Sequence, residues 1–185
     1  MTKAFNNLLI CMAVIFICMA TSSWIQSSGG QVAVSKIVLP TQNGQSLAAT
    51  LFKPISATSD TPAPFVAVVP GFQRSREALS NIAIELSRRG FVVVSIDPYG
   101  QGSSSSSMST RSATYEGYGM FALIDYVFET DNLNYVDKSR IGATGHSAGG
   151  NAAIRGAAYF GKEASETDSA LSKLHSVYIL SLIHI

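Results

Sequence analysis

Ser147 is the residue whose type and surroundings most directly suggest chemistry. It lies in the stretch Arg140-Ile-Gly-Ala-Thr-Gly-His-Ser-Ala-Gly-Gly150, with Gly145 two residues before it and Gly149 two residues after it. The spacing G-x-S-x-G is typical of a serine on a sharp turn between a strand and a helix. A serine hydroxyl is a poor nucleophile until a base takes its proton. We interpret Ser147 as a candidate nucleophile on a turn that includes Gly145, His146 and Gly149; a glycine-rich junction with an incidental serine is the alternative.

The sequence contains three histidines that could serve as this base. His146 precedes Ser147 directly, and we expect its side chain to leave the turn on a different side and to pack beneath the site. His175 begins the last strand that the pattern predicts, so it should lie one strand length from Ser147, about 17–20 Å. His184 belongs to a tail that we expect to be non-native. The prediction is therefore that the chain contains neither the histidine nor the acid of a catalytic triad.

The tail in question is Leu180-Ser-Leu-Ile-His-Ile185. The DNA string CTG TCT CTT ATA CAC ATC encodes it, and that string matches the end of a transposase adaptor used in library preparation. We expect residues 180–185 to derive from the adaptor and the natural protein to continue differently after residue 179.

Acyl transfer also requires donors for an oxyanion, usually two backbone N–H groups. Ala148 supplies one, at the start of the predicted helix, where the helix dipole also favours negative charge. The second is expected in the loop Val69-Pro-Gly-Phe-Gln73, where Gly71 lets the backbone turn and Phe72 offers its N–H while its ring lines an acyl pocket. An ordinary turn is the alternative interpretation of Pro-Gly-Phe.

Strands and helices alternate through the body of the chain, which predicts an α/β fold with a doubly wound, mostly parallel sheet. Continuous apolar runs such as Phe65-Val-Ala-Val-Val69 are typical of buried parallel strands, and Asn43-Gly44 marks a hairpin. We interpret the serine run at 102–107 as a solvated connector. The predicted strands are residues 36–39, 47–52, 65–69, 91–96, 140–144 and 177–179, and the predicted helices are 77–89, 115–128 and 148–160.

These stretches together resemble the α/β-hydrolase superfamily, and most closely its dienelactone-hydrolase-like and bacterial cutinase-like esterases. The matching motifs are "VVPGF", "GFVVVSIDPYGQGSS", "VDKSRIGATGHSAGG" and "SREALSNIAIELSRRG". The resemblance implies that residues 32–179 are the N-terminal part of such a domain, incomplete at its C-terminal strands. It implies Ser147 as the nucleophile and the N–H groups of Phe72 and Ala148 as oxyanion donors. Asp97 resembles the family's turn residue after a central strand, so we interpret it as a turn former and not as the triad acid.

The N-terminal residues 1–25 differ in composition from the rest. An uncharged apolar run from Leu8 follows Lys3, as in a secretory signal peptide that is cleaved after Ala20. Extended through residue 25, the run approaches the roughly 20 residues that span a bilayer, so a membrane anchor over residues 8–25 is the alternative. Either version predicts export. Both cysteines, Cys11 and Cys18, lie in this segment, so the exported body would have no disulfide.

Composition excludes several other classes of function. The 185 residues carry a formal net charge of +1 without a lysine or arginine run, so we expect no nucleic-acid partner. We predict neither a metal nor a cofactor, because no His/Cys cluster and no phosphate-binding glycine loop is found.

The predicted function is a serine esterase that cleaves small-molecule or polymeric carboxylic esters, including polyesters. The alternative is a non-catalytic binding protein of the same fold, or an inactive fragment.

Overall fold

A computed structural model describes residues 3–41, 44–105, 117–166 and 172–180 of the chain. Strands and helices alternate as the sequence predicts, and two short 3-10 turns, Arg76–Leu79 and Gly117–Gly119, precede helices. The elements are α1 (Lys3–Gln26), β1 (Val32–Pro40), β2 (Ser46–Pro54), β3 (Ala63–Val69), α2 (Ser80–Arg88), β4 (Val92–Ile96), α3 (Met120–Glu129), β5 (Val136–Gly145), α4 (Ala148–Glu166) and β6 (Ser176–Ile179).

The described strands form one six-stranded sheet in the order β1-β2-β4-β3-β5-β6. β1 and β2 are the predicted antiparallel hairpin, β2 is antiparallel to β4, and the remaining neighbours are parallel. The chain moves from β3 to β4 on one side and then to β5 on the other, so the direction of winding reverses at β3. The carboxyl ends of these three strands, at Val69, Ile96 and Gly145, meet at one edge, which is where ligands bind in open α/β sheets.

Helices cover both faces of the sheet because alternate strand residues point in opposite directions. Ala67, Val69 and Val94 belong to the larger core cluster, which contains the apolar faces of α3 and α4. Val68 and Val93 belong to a second cluster with Ala83 of α2. The predicted doubly wound architecture is therefore confirmed.

Several element boundaries differ from the sequence prediction; β1, for example, begins at residue 32 and not at 36. α3 begins at Met120 and not at 115, because Gly117, Tyr118 and Gly119 all have positive φ angles that an α-helix cannot contain; residues 115 and 116 lie outside the described residues. β5 begins at residue 136, four residues earlier than predicted, and its register against β3 shifts between the pairs Ala63–Val136 and Phe65–Ile141. α4 continues six residues beyond the predicted end, to residue 166.

α1 is a single apolar helix, and no side chain of it is buried. Cys11 and Cys18 are exposed and unpaired in it. A tight turn joins the helix to β1, where the amide of Val32 donates to the carbonyl of Ser27 at 2.9 Å. The Arg88 guanidinium of α2 donates to the carbonyl of Ile25 in the last turn of α1, at 2.9 Å.

Candidate active site

Ser147 occupies the turn between β5 and α4 with a left-handed backbone, at φ 53°. This region is sparsely populated by residues other than glycine, and strain of this kind persists where the surrounding structure enforces it. The amide of His146 donates to the carbonyl of Val69 at 3.2 Å, and the carbonyl of Ser147 accepts from Asn151 at 3.0 Å. The serine is thus fixed between the end of β3 and the first turn of α4, and its side chain is partly exposed.

The glycines flanking Ser147 are required by space. A Cβ at Gly145 would collide with the backbone of Gly149, and a Cβ at Gly149 would collide with the carbonyl of Val69. Neither glycine has a positive φ. The start of α4 therefore packs directly against the ends of β3 and β5, backbone on backbone, and this close contact creates the sharp turn.

The loop after β3 lies against this turn. A Cβ at Gly71 would stand 3.4 Å from Cβ of Ser147 and 3.1 Å from Nδ1 of His146. Within the described part of the chain, the N–H groups of Phe72 and Ala148 donate to no acceptor. The Phe72 ring is 67% exposed. The sequence-predicted oxyanion donors therefore belong to two segments that meet beside Ser147, and both N–H groups are available.

Neither described histidine supplies a base to Ser147. His146 is exposed, so the expectation that it packs beneath the site is wrong; its Nδ1 lies 3.1 Å from the position that a Cβ on Gly71 would take. His175 lies beside Ile141, whose amide donates to its Nδ1 at 3.3 Å. That position is at the amino end of β6, the opposite end of the sheet from Ser147, as predicted. His184 lies outside the described residues.

Asp97, after β4, connects two loops near the site. Its side chain is almost fully buried and accepts from the Arg76 amide at 2.7 Å, from the Arg76 guanidinium at 3.0 Å and from the Ser103 amide at 2.9 Å. A carboxylate with these donors is held as a structural anchor of the turn, as the sequence interpretation of Asp97 expects. The pairing with Arg76 was not foreseen, because nothing in the sequence relates residues 21 positions apart.

The serine run after Asp97 is attached to the body of the protein over its described part. The Ser104 hydroxyl accepts from the Ala48 amide at 2.8 Å and donates to the Asp97 carbonyl at 2.6 Å. The Ser105 hydroxyl accepts from the Ser46 amide and shares a hydrogen bond with the Ser46 hydroxyl, each at 2.8 Å. The interpretation of a solvated connector is therefore wrong for Ser104 and Ser105, whereas residues 102 and 103 are exposed; residues 106 and 107 lie outside the described residues.

One ionisable group close to these loops has a shifted pKa. The Ser75 hydroxyl donates to Glu77 and lowers the pKa of that carboxyl, against a smaller opposing effect of burial. Glu77 also lies 3.4 Å from Nε of Arg76. The Glu77 carboxylate therefore stays ionised at neutral pH and remains paired with Arg76.

Two apolar cavities lie along the sheet, and neither is lined by a residue of the G-x-S-x-G motif. One has a volume of about 260 Å³ and contains Val66, Leu86, Thr144 and Tyr178 in its wall. The buried hydroxyl of Thr144 has no hydrogen-bond partner. This cavity lies behind the turn and includes no residue of the G-x-S-x-G motif, so it is not a candidate acyl pocket.

The strand order, the helices on both faces and the strand–turn–helix at Ser147 define a protein with the α/β-hydrolase fold. Solved structures of this fold superpose on the chain. A hypothetical protein from Pseudomonas aeruginosa matches with a TM-score of 0.63 and 22% identity, over 80% of this chain and 42% of its own. The thermostable carboxylesterase EstE1, cloned from a metagenomic library, matches with a TM-score of 0.59 and 25% identity, over 80% and 46%. A Pyrococcus furiosus esterase matches with a TM-score of 0.56 and 20% identity, over 70% and 48%.

The chain belongs to the PET hydrolase-like family, whose model matches residues 18–166. This stretch includes the loop at Phe72, the turn at Ser147 and all of α4. The chain spans less than half the length of each of the three solved structures above.

Proposed function

We propose that this protein is a serine hydrolase that cleaves carboxylic esters through an acyl-enzyme on Ser147. The observation that carries the proposal is the left-handed turn at Ser147, between a strand and a helix, with two free backbone N–H groups beside it. Such a turn exposes a hydroxyl at the carboxyl edge of the sheet, where an ester carbonyl can approach. The names of the family and of two superposed esterases agree with this chemistry.

In the proposed reaction the Ser147 oxygen attacks the ester carbonyl carbon and its proton passes to a base. The carbonyl oxygen becomes an oxyanion, which accepts hydrogen bonds from the N–H groups of Phe72 and Ala148. The C–O bond to the alcohol then breaks, and the alcohol leaves with the proton from the base. Water attacks the acyl-enzyme in the same manner, releases the carboxylic acid and restores the serine. The base required for both steps is not among the described residues.

The proposed substrates are carboxylic esters, from small acyl esters to polyesters. The family description, PET hydrolase-like, supports a polymeric aromatic ester as one of them. The Phe72 ring is exposed beside the turn, so a flat aromatic acyl group could contact it at the mouth of the site. A polymer chain requires such an open surface, since its scissile bond cannot enter a closed cavity.

A fluorophosphonate probe tests the proposal on the natural full-length protein, which we expect to continue beyond residue 179 and to supply the base, because the probe reacts covalently with a serine that a base activates. We expect the protein to be labelled at Ser147 and the Ser147→Ala variant to be unlabelled. Ser59, which is exposed in the connector before β3, gives the matched control Ser59→Ala, which should label normally. Absence of label on the unsubstituted protein would contradict the proposal and support the non-catalytic alternative.

We also propose that the protein is exported, with α1 acting as a signal peptide or a membrane anchor. The helix has 24 residues, a mean hydropathy of 2.3 in its most apolar window and no buried side chain. At 1.5 Å per residue it would be about 36 Å long, enough to cross a hydrocarbon core of about 30 Å. Mass spectrometry of the N-terminus of the exported protein distinguishes the two: a first residue near Thr21 indicates cleavage, and an intact N-terminus indicates an anchor.

The sheet topology would orient the site of an anchored protein. α1 leads into Val32, which pairs with Pro54 at the end of β2. Because β2 is antiparallel to β4, that end lies beside the beginning of β4, at the edge opposite to Ser147. An anchored form would therefore hold Ser147 toward the aqueous phase, away from the bilayer.

A further inference from the structure

The loop that presents the Phe72 N–H is a tight turn with one unfavourable backbone angle. The amide of Arg74 donates to the carbonyl of Gly71 at 3.2 Å, which closes a β-turn over Phe72 and Gln73. Gln73 stands at the third position with φ 55°, where glycine is the favoured residue. A turn that contains such a residue needs additional contacts to hold it.

Gln101 supplies a contact of this kind from a different loop. Its side-chain oxygen, Oε1, accepts from the same Arg74 amide at 2.8 Å. This is shorter than the 3.2 Å bond within the turn, so the side-chain amide is the closer acceptor of the two. The Arg74 amide is therefore shared between its own turn and Gln101.

The backbone of Gln101 is itself fixed. Its amide donates to the Pro98 carbonyl at 2.9 Å, and its carbonyl accepts from Ser104 at 3.2 Å. On its far side, Gly102 has φ 54°, and a Cβ there would collide with the Asp97 carboxylate. Gln101 thus projects from a rigid loop toward the turn at Phe72.

Asp97 anchors both segments at their bases, because it accepts from the Arg76 amide and from the Ser103 amide. With the base fixed in this way, the free part of the oxyanion loop is short. It contains Phe72, Gln73 and Arg74, and Gln101 holds its last residue. The beginning of the loop is fixed by the close approach of Gly71 to the Ser147 turn.

We propose that Gln101 is a positioning residue for the oxyanion site: by accepting from Arg74 it holds the turn over residues 71–74 so that the Phe72 N–H points to the carbonyl that Ser147 attacks. The proposal rests on the proposed function. Gln101 touches no reacting atom, so its effect passes through the turn. A purely structural role would change the stability of the fold, whereas a positioning role changes the reactivity of Ser147 in a protein of unchanged fold.

Two isosteric variants separate these roles. Gln101→Met keeps the length of the side chain and removes the acceptor, while Gln101→Glu keeps an acceptor in the same place. Gln31, which is exposed at the far end of the sheet before β1, provides the control Gln31→Met. The measurements, made on the natural full-length protein, are the second-order rate of fluorophosphonate labelling at Ser147 and the hydrogen-exchange rate of the Arg74 amide.

We expect Gln101→Met to label at least about tenfold more slowly, a smaller loss than the roughly hundredfold that follows deletion of an oxyanion donor, because the bond to Gly71 remains. Arg74 should exchange at least about tenfold faster, as expected for an amide that loses its closer acceptor. Gln101→Glu should stay within about threefold of the unsubstituted protein in labelling rate, since a carboxylate accepts as well as an amide does. Gln31→Met should change neither quantity.

Equal labelling rates for Gln101→Met and the unsubstituted protein would overturn the proposal, as would an equal loss in Gln101→Glu. If the unsubstituted protein is not labelled at all, the proposed function fails, and the exchange measurement decides the contact by itself. In that case unchanged exchange of Arg74 in Gln101→Met overturns the role of Gln101, and faster exchange supports it.

Discussion

The contact between α4 and the end of β3 makes a sharp prediction for the substitution Gly149→Ala. The added methyl group would meet the carbonyl group of Val69 and the carbonyl oxygen of Pro70. Inserting a methyl into a packed site typically costs about 1–3 kcal/mol, and the upper end applies because backbone atoms cannot rotate away. The better helix propensity of alanine offsets about 1 kcal/mol of this. We expect a net loss of about 2 kcal/mol in the free energy of unfolding.

Gly161 in the same helix provides the matched control. It is exposed, and nothing lies within 4 Å of the Cβ that alanine would add. Gly161→Ala should therefore stabilise the protein by about 1 kcal/mol, from helix propensity alone. For a domain of this size each kcal/mol corresponds to about 2–4 °C in the melting temperature. Gly149→Ala should accordingly melt about 4–8 °C lower than the unsubstituted protein, and Gly161→Ala about 2–4 °C higher.

Thermal unfolding followed by circular dichroism measures both shifts. A second measurement is the labelling of Ser147 by the fluorophosphonate at a temperature where the variant is folded. Displacing the start of α4 by about 1 Å should slow labelling about a hundredfold. If Gly149→Ala melts at or above the temperature of the unsubstituted protein, the backbone contact with Val69 does not exist, and the sharp turn at Ser147 has another cause.

Three further substitutions test the packing and the charges. Asp97→Ala should lower the free energy of unfolding by about 3–5 kcal/mol in urea titrations, because it removes the buried partner of the Arg76 guanidinium and leaves it only the exposed Glu77; a loss below about 1 kcal/mol would contradict the buried pair. Phe160→Ala should cost about 3–5 kcal/mol by the same measurement, because its fully buried ring leaves a cavity, and a neutral result would refute its place in the core. The hydroxyl and amide of Ser139 donate to Asp137 and lower the pKa of its carboxyl from 3.8 to about 2. The ionised Asp137 therefore stabilises the fold above pH 3.8, and this stabilisation is lost as the pH falls toward 2. The difference in melting temperature between the protein and Asp137→Asn should therefore shrink between about pH 5 and pH 2, and a constant difference would contradict the assignment.

The strands were predictable because burial on both faces leaves a distinctive pattern. Residues 65–69 form a continuous apolar run and residues 91–96 are apolar except for Ser95; they correspond to β3 and β4, the two central strands, which are parallel to each other. The beginning of α3 was not predictable, because helical spacing continues through Gly117 and Tyr118 although their backbone is left-handed. Spacing reports which residues share a face, and it contains no information about a local reversal of φ.

Some features of the candidate site could likewise be predicted from the sequence, and others could not. Ser147 was predictable because the chemistry of a turn nucleophile requires a local motif. Asp97 could be recognised as a turn residue, but its partner Arg76 and the contact of Gln101 with Arg74 depend on which strands are neighbours. The order β4-β3 brings the loops after those two strands together, and that order is a property of the whole sheet.

The two glycines of the motif have one physical cause. Among the three motif positions at 145, 147 and 149, the left-handed backbone is at the serine, and the glycines have ordinary φ angles. The glycines are needed because the first turn of α4 lies directly on the carbonyl of Val69, so a side chain at either position would separate helix from sheet. The serine accepts the unfavourable angle because the packing of helix on sheet fixes its neighbours on both sides, and the angle in turn holds the hydroxyl at the sheet edge. The glycine spacing of the motif therefore follows from the close approach of α4 to the end of β3.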